Sequence, residues 1–239
     1  MRAVIIASLF ATLFANALKA DQGELVPIKP KEVFVPVGFD SNDEIVAVVD
    51  GYLPDPCHRL RQPNVQFNKE THSYTIMPMA ERFQWTCPDV IVPFTQVVAL
   101  GTAKEGNYRV LSFDGGQSEA LAVAKAKNPS PDDYLYAPVD NATVFGGSGG
   151  APMQAVIQGR FTNTCEVLDQ VKMNHTGKSV QVLPIMKLLD KDRLGRPCAA
   201  KERPFQTNVV LSGIDEGRHL LHVRSLDGRS VNELFTAWR

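Results

Sequence analysis

This sequence has no surplus of charge of either sign: 25 Lys and Arg stand against 26 Asp and Glu, a formal net charge of −1. That balance withholds the basic footprint that nucleic acid or an anionic membrane surface requires. Beyond the first 20 residues there is no apolar run long enough to cross a bilayer as a helix. There is no C-x-x-C pair and no His at ligand spacing from a Cys pair, so the usual zinc sets are missing. His is scarce, with five in the chain. His219 and His222 stand three apart in a strand-like run and face opposite sides, while His58, His72 and His175 fall in corners or turns with no carboxylate patterned beside them. The acidic turn of Asp40, Asp43 and Glu44 offers too few oxygen ligands for calcium. No metal and no cofactor is implied.

What is present begins with Met1-Arg-Ala-Val-Ile-Ile-Ala-Ser-Leu-Phe10, one positive charge followed by an apolar run that ends in small residues. This pattern predicts a signal peptide over residues 1–20, cleaved after Ala17 or Ala20. No Cys lies near either point to accept a lipid. The expected mature protein is exported and soluble, periplasmic or secreted.

The four Cys sit in a repeat. Gly51-Tyr-Leu-Pro-Asp-Pro-Cys57, followed by Cys87 and Pro93-Phe94, returns as Gly159-Arg-Phe-Thr-Asn-Thr-Cys165, Cys198 and Pro204-Phe205. Asp114-Gly115 likewise returns as Asp227-Gly228. Four Cys allow three pairings. A duplicated module normally carries its own bridge, which selects Cys57–Cys87 and Cys165–Cys198. Each closes a loop of about 30 residues, worth on the order of 3–4 kcal/mol in the chain-entropy model.

The intervening runs are short and rich in β-branched residues, with turn signals at intervals of roughly ten. Residues 21–31 read as an extended arm. Val65-Gln-Phe67 and Tyr74-Thr-Ile-Met77 form an expected hairpin, Val90-Ile-Val92 a further β-rich run, and the two Asp-Gly pairs predict tight hairpins. Lys127-Asn-Pro-Ser-Pro-Asp-Asp133 reads as a short, stiff linker. The predicted fold is all-β: two tandem immunoglobulin-like β-sandwich domains formed by internal duplication, over residues 24–126 and 134–239, joined by 127–133.

The run G-x-L-P-x-x-C, a second Cys, P-F and then G-x-Y-x-V before D-G resembles a small disulfide-containing sandwich module of exported bacterial proteins. The first copy carries the whole pattern. The second departs from it, with Phe161-Thr162 for Leu-Pro and His219 for the Tyr. The resemblance implies the fold and leaves activity open, because such sandwiches host many functions.

Ser148, within Gly146-Gly-Ser-Gly-Gly150, satisfies G-x-S-x-G in letters. A nucleophile elbow needs a helix after the Ser, and Pro152 with the strand-like run beyond it opposes one. The segment reads as a loop, and no catalytic residue is assigned. Just before each second Cys the copies diverge. The first has Phe83-Gln-Trp85; the second has Arg193-Leu-Gly-Arg196 within a basic run that also holds Lys187, Lys191, Lys201 and Arg203. Trp85 reads either as core packing on the disulfide or as an exposed anchor. These two segments are the expected binding residues: Phe83, Trp85, Arg193 and Arg196. The predicted role is a non-enzymatic binding or structural protein, with an unknown protein or an envelope polysaccharide as partner. A protease-inhibitor-like binder is the alternative, and a serine hydrolase using Ser148 a more distant one.

Overall fold

The computed structural model describes residues 23–146 and 152–238; residues 1–20, expected to be a signal peptide, lie outside them. Among the described residues the chain is all strand and turn, and no helix is long and apolar enough to cross a membrane.

The first half supplies β1 (Glu24–Pro27), β2 (Pro30–Phe34), β3 (Phe39–Asp40), β4 (Ile45–Leu53), β5 (His58–Asn68), β6 (Ser73–Arg82), β7 (Val92–Gly101), β8 (Gly106–Ser112) and β9 (Ser118–Ala124). One sheet runs β2-β4-β7; the other runs β1-β6-β8-β9-β3, with β5 on the free side of β6. The expected arm is thus a strand, β1, paired antiparallel with residues 79–82 of β6. By contrast the predicted β-run at Val90-Ile91 is exposed loop, and β7 begins at Val92.

The second half supplies β10 (Val139–Phe145), β11 (Gln154–Phe161), β12 (Glu166–Thr176), β13 (Ser179–Leu188), β14 (Arg203–Val210), β15 (Gly217–Arg224) and β16 (Ser230–Ala237). Its sheets run β10-β11-β14 and β12-β13-β15-β16. The central pairs β6–β8 and β13–β15 are both parallel, and every other pairing within these two sheets is antiparallel save β3–β9. Residues 135–137 take the place that β1 holds in the first half. Ile28 N–H donates to Pro78 O at 2.8 Å, and Ala137 N–H donates to Pro184 O at 2.7 Å.

The repeated Gly and Phe have a shared steric cause. Gly51 faces Phe94 across β4–β7, and Gly159 faces Phe205 across β11–β14. A Cβ on Gly51 would fall 2.8 Å from the Phe94 ring, and one on Gly159 would fall 2.6 Å from the Phe205 ring. The ring lies flat over the facing backbone, which leaves room for hydrogen alone. The hairpins form as expected, β8–β9 around Asp114-Gly115 and β15–β16 around Asp227-Gly228, where Asp227 and Gly228 both have positive φ (62° and 68°). Both disulfides form in the expected pairing, Cys57–Cys87 and Cys165–Cys198.

Apolar side chains gather between the two sheets of each half, with Ile45, Ala47, Val49, Ile76 and Val110 in the first and Ala155, Ile157, Val182, Leu221 and Val223 in the second. A third cluster joins the halves: Phe34 and Val48 pack on Leu220 and Leu234. β15 lies between them with both faces buried. Its odd positions, His219, Leu221 and Val223, face the second core, and His219 stacks on Phe235 at 5.5 Å. Its even positions face the first half. Arg218 Nε donates to Asp50 at 3.0 Å, Leu220 meets Phe34 and Val48, His222 meets Phe39 edge-on at 5.9 Å, and Arg224 Nη2 donates to Asp43 Oδ1 at 2.6 Å. The period of two in a strand permits this double duty. His219 and His222 do face opposite sides, and both are buried. Nor is the acidic turn a solvated one: Asp40 and Asp43 are buried.

The linker is held at several points. Asn128 O accepts from Asn42 Nδ2, Pro131 O from Arg224, and the Asp132 carboxylate from the Asp227 and Gly228 amides. Residues 127–133 therefore contact both halves and are more than a spacer.

The Asp43 and Arg224 side chains are about equally buried, at 3% and 5% exposure. Burial pushes the Asp43 carboxyl up, against the pull of Arg224. Removing one member of such a pair strands the other, so Asp43→Ala should cost about 3–5 kcal/mol in chemical denaturation. His222 gives a pH signature. Burial lowers its pKa from 6.5 to about 4, with Arg224 adding to the fall and the Asn232 hydrogen bond opposing it. The unfolded imidazole takes its proton near pH 6.5 and the folded one only near 4. Stability from this group is therefore full above the upper value and falls with acidification between the two, by about 1.4 kcal/mol per pH unit. Denaturation curves taken from pH 7 to 4 should show that slope, and His222→Gln should remove its share.

Candidate binding site

Phe67 is the last residue but one of β5 and Tyr74 the second of β6, and the hairpin register places them directly opposite each other. Their rings lie 4.7 Å apart. The turn between them is tied by Asn68 Oδ1, which accepts from the Glu70 and Thr71 amides. It closes at His72 with φ of 48°, a conformation that L residues seldom adopt. His72 O accepts from the Arg109 amide, and its ring stands 5.6 Å from Tyr108. Tyr108, on β8, completes the group at 6.0 Å from Tyr74 and 6.1 Å from Phe67, and its hydroxyl donates to Lys104 O.

These rings wall an open cleft of about 610 Å³, whose other sides are Lys69, Leu100, Thr102, Ala103 and Lys104. Tyr74 and Leu100 also pack on the first core, so the cleft continues the sandwich interior at its open end. Burial, with Tyr108 nearby, raises the Tyr74 hydroxyl above its ordinary pKa, which keeps it a neutral donor. Phe67 remains 44% exposed. The corresponding rings in the second half are imidazoles, His175 and His219, 6.0 Å apart, and His219 is buried beneath Phe235. Phe67 and Tyr74 were legible as strand residues of one hairpin; in one sequence an exposed aromatic at a strand end looks like core.

The residues expected from the sequence fall elsewhere, in two separate loops. Phe83 and Trp85 stack on each other at 4.4 Å, and Arg59 lies over the outer face of Phe83 at 5.5 Å. Trp85 is 55% exposed, and Val90 and Ile91 of the same loop are exposed too. The Trp85 carbonyl oxygen lies 3.2 Å from Cys57 Sγ, a contact rather than a hydrogen bond because that sulfur is bridged. Trp85 is thus an exposed side chain and not core. Arg193 and Arg196 are exposed in the loop before Cys198, but Arg196 is committed to Asp192, donating from its amide and its Nε at 2.8 Å each. Those bonds lower the Asp192 pKa. In the same basic run, Lys187 pairs with Asp169 at 2.7 Å, and Arg203 donates to Glu166 O and sits over Phe161. Half of the run is thus spent on its own fold, while Lys191, Arg193 and Lys201 stay exposed.

His58 does have a carboxylate beside it, which the spacing did not suggest. Its Nδ1 lies 2.8 Å from Asp55 Oδ1, and the Asp55 pKa is lowered chiefly by that bond. Asp55 also accepts from the Cys57 amide, as Asn163 does from Cys165, so the pair belongs to the corner before each disulfide. Asp55, Cys57 and Cys87 lie close enough to suggest a metal group, but the disulfide removes the thiolates. Ser148 lies outside the described residues.

Because Trp85 is half exposed, Trp85→Ala should lower stability by less than about 1 kcal/mol. A melting curve checks this, since a core aromatic would cost about 3–5 kcal/mol.

Comparison with known proteins adds one finding. Residues 47–121 match the family model described as the ORF11 beta-sandwich domain. That segment runs from β4 into β9 and contains the first disulfide, the Phe83–Trp85 stack and every residue of the aromatic cleft. No curated protein and no solved structure matches the chain. The first half is therefore similar to that domain, and its disulfide-closed β-sandwich fits the match.

Proposed function

We propose that this chain is an exported, non-enzymatic binding protein whose ligand seats in the aromatic cleft of the first half. One observation carries the reading: Phe67, Tyr74, His72 and Tyr108 form a connected group of rings at the open end of the sandwich, with Phe67 left bare to solvent. Leaving such a ring partly in water forgoes part of a burial worth about 1.5–3 kcal/mol when complete, and exposed aromatics are common anchors for partners. The lining holds no carboxylate, Ser or Cys, which favours holding a ligand over converting it. Two disulfides suit an oxidising compartment, the periplasm or the exterior, in agreement with the expected signal peptide.

In this reading the chain is two tandem immunoglobulin-like modules, over residues 24–126 and 134–239, derived by duplication. Support comes from the matching strand orders, the parallel pair at the centre of each larger sheet and the Gly–Phe contact in each smaller one. The loop with Phe83, Trp85, Val90 and Ile91, tethered by Cys87, is a second contact surface and suits a protein partner.

Passing envelope and culture-medium extracts over immobilised protein tests the role of the cleft. The wild type should retain a component that a Phe67→Ala/Tyr108→Ala variant of equal melting temperature does not. Equal retention by both proteins would move the binding surface away from the cleft.

A further inference from the structure

The cleft has a charge as well as a shape. Its lining includes Lys69, Lys104 and His72, and no Asp or Glu. Lys69 and Lys104 are exposed, and neither makes an ion pair among the described residues. Glu70 and Glu105, their neighbours in the chain, are not part of the lining. In a chain of net charge −1 this is a local concentration of positive charge around aromatic rings. Elsewhere several basic side chains are matched by a carboxylate: Lys29 with Asp114, Lys178 with Glu32, Lys187 with Asp169, Arg160 with Asp140 and Arg61 with Glu81.

Resting on the cleft reading above, we infer that the ligand is an acidic polysaccharide, a chain of hexuronic or similarly carboxylated sugars. A pyranose ring has an apolar face of C–H groups and a polar rim. The exposed Phe67 ring, backed by Tyr74 and Tyr108, offers a surface for that face. Thr102, exposed in the lining, and Tyr108, whose hydroxyl oxygen can still accept, offer partners for sugar hydroxyls. Lys69 in the β5–β6 turn and Lys104 in the β7–β8 loop neutralise the carboxylates. A volume of about 610 Å³ lies within the range of small-ligand sites and, being open, lets a polymer enter and leave. An acidic peptide would also satisfy the lysines; the flat apolar face of a pyranose set on the Phe67 ring is what favours the sugar.

The test uses the purified chain and three probes by isothermal titration: polygalacturonate, its fully methyl-esterified neutral form and poly-L-glutamate. Polygalacturonate should bind about tenfold or more tightly than either other probe at low salt, with the margin over the ester narrowing as salt screens the lysines. Phe67→Ala and Lys69→Ala/Lys104→Ala, all exposed positions, should each weaken it by about tenfold while melting as the wild type does. Equal binding of the ester and the free acid would overturn the acidic ligand. Equal binding of poly-L-glutamate, unaffected by Phe67→Ala, would overturn it in favour of an acidic protein partner. No binding to polygalacturonate would also overturn it. In each case the extract experiment decides separately whether the cleft binds anything: retention lost with Phe67→Ala/Tyr108→Ala keeps the binding reading and removes only the ligand class.

Discussion

Everything in this molecule has to accommodate β15, a strand with no solvent face. A strand buried on both sides usually reads as an unbroken apolar run. β15 reads Gly-Arg-His-Leu-Leu-His-Val-Arg, with polar residues at half its positions. The second half's core takes His219, Leu221 and Val223. The other face takes Arg218, Leu220, His222 and Arg224, each matched by a residue of the first half: Asp50, the Phe34–Val48 pair, Phe39 and Asp43. An apolar face would serve as well for stability, because desolvating an ion pair offsets much of its attraction. What the ion pairs add is register: shifting β15 by two residues against the first half would set Arg218 or Arg224 on apolar surface with no partner.

That constraint decides which surfaces are left for function. The outer face of the β2-β4-β7 sheet is committed to the second half through Phe34, Val48 and Asp50. The linker is fastened through Asn128, Pro131 and Asp132. The end of the first sandwich bounded by the β5–β6 turn and the β7–β8 loop takes no part in these contacts, and there the aromatic wall of the core emerges into the cleft. The second half closes the same end by stacking Phe235 over His219.

What was legible in the sequence is what local chemistry determines. A disulfide, an Asp-Gly hairpin or a Gly beneath a Phe ring each leaves a mark within a few residues, and repetition doubled every mark. The Asp43–Arg224 pair left none, because the partners lie 181 positions apart and each alone looks like a surface charge. His58 and Asp55 are only three apart, yet a corner rather than a helix joins them, so their spacing carried no pattern. Trp85 stood out because its counterpart in the other copy is not aromatic. Phe67 did not, since an aromatic in a strand is ordinarily core. The basic run from Lys187 to Arg203 looked like a fuller patch than it is, because sequence shows the charges and hides Asp169, Asp192 and the Glu166 carbonyl oxygen that engage Lys187, Arg196 and Arg203.

The differences between the halves follow a single physical division. Where the first half has Phe67 and Tyr108 the second has His175 and His219; an imidazole is smaller and can be held by a hydrogen bond from one of its nitrogens. His175 is bonded to Gly177 O, and His219 Nε2 to Asp215 O, so both rings are tied to their own backbone. A ring tied this way is held by the fold and has little left to offer a ligand. The rings of Phe67 and Tyr74 have no such ties, and the Tyr108 hydroxyl has one, to Lys104 O, which anchors the very loop that carries a cleft lysine. If the cleft binds, the second half serves as its buttress: it covers the back of the β2-β4-β7 sheet and leaves the first half's open end uncovered.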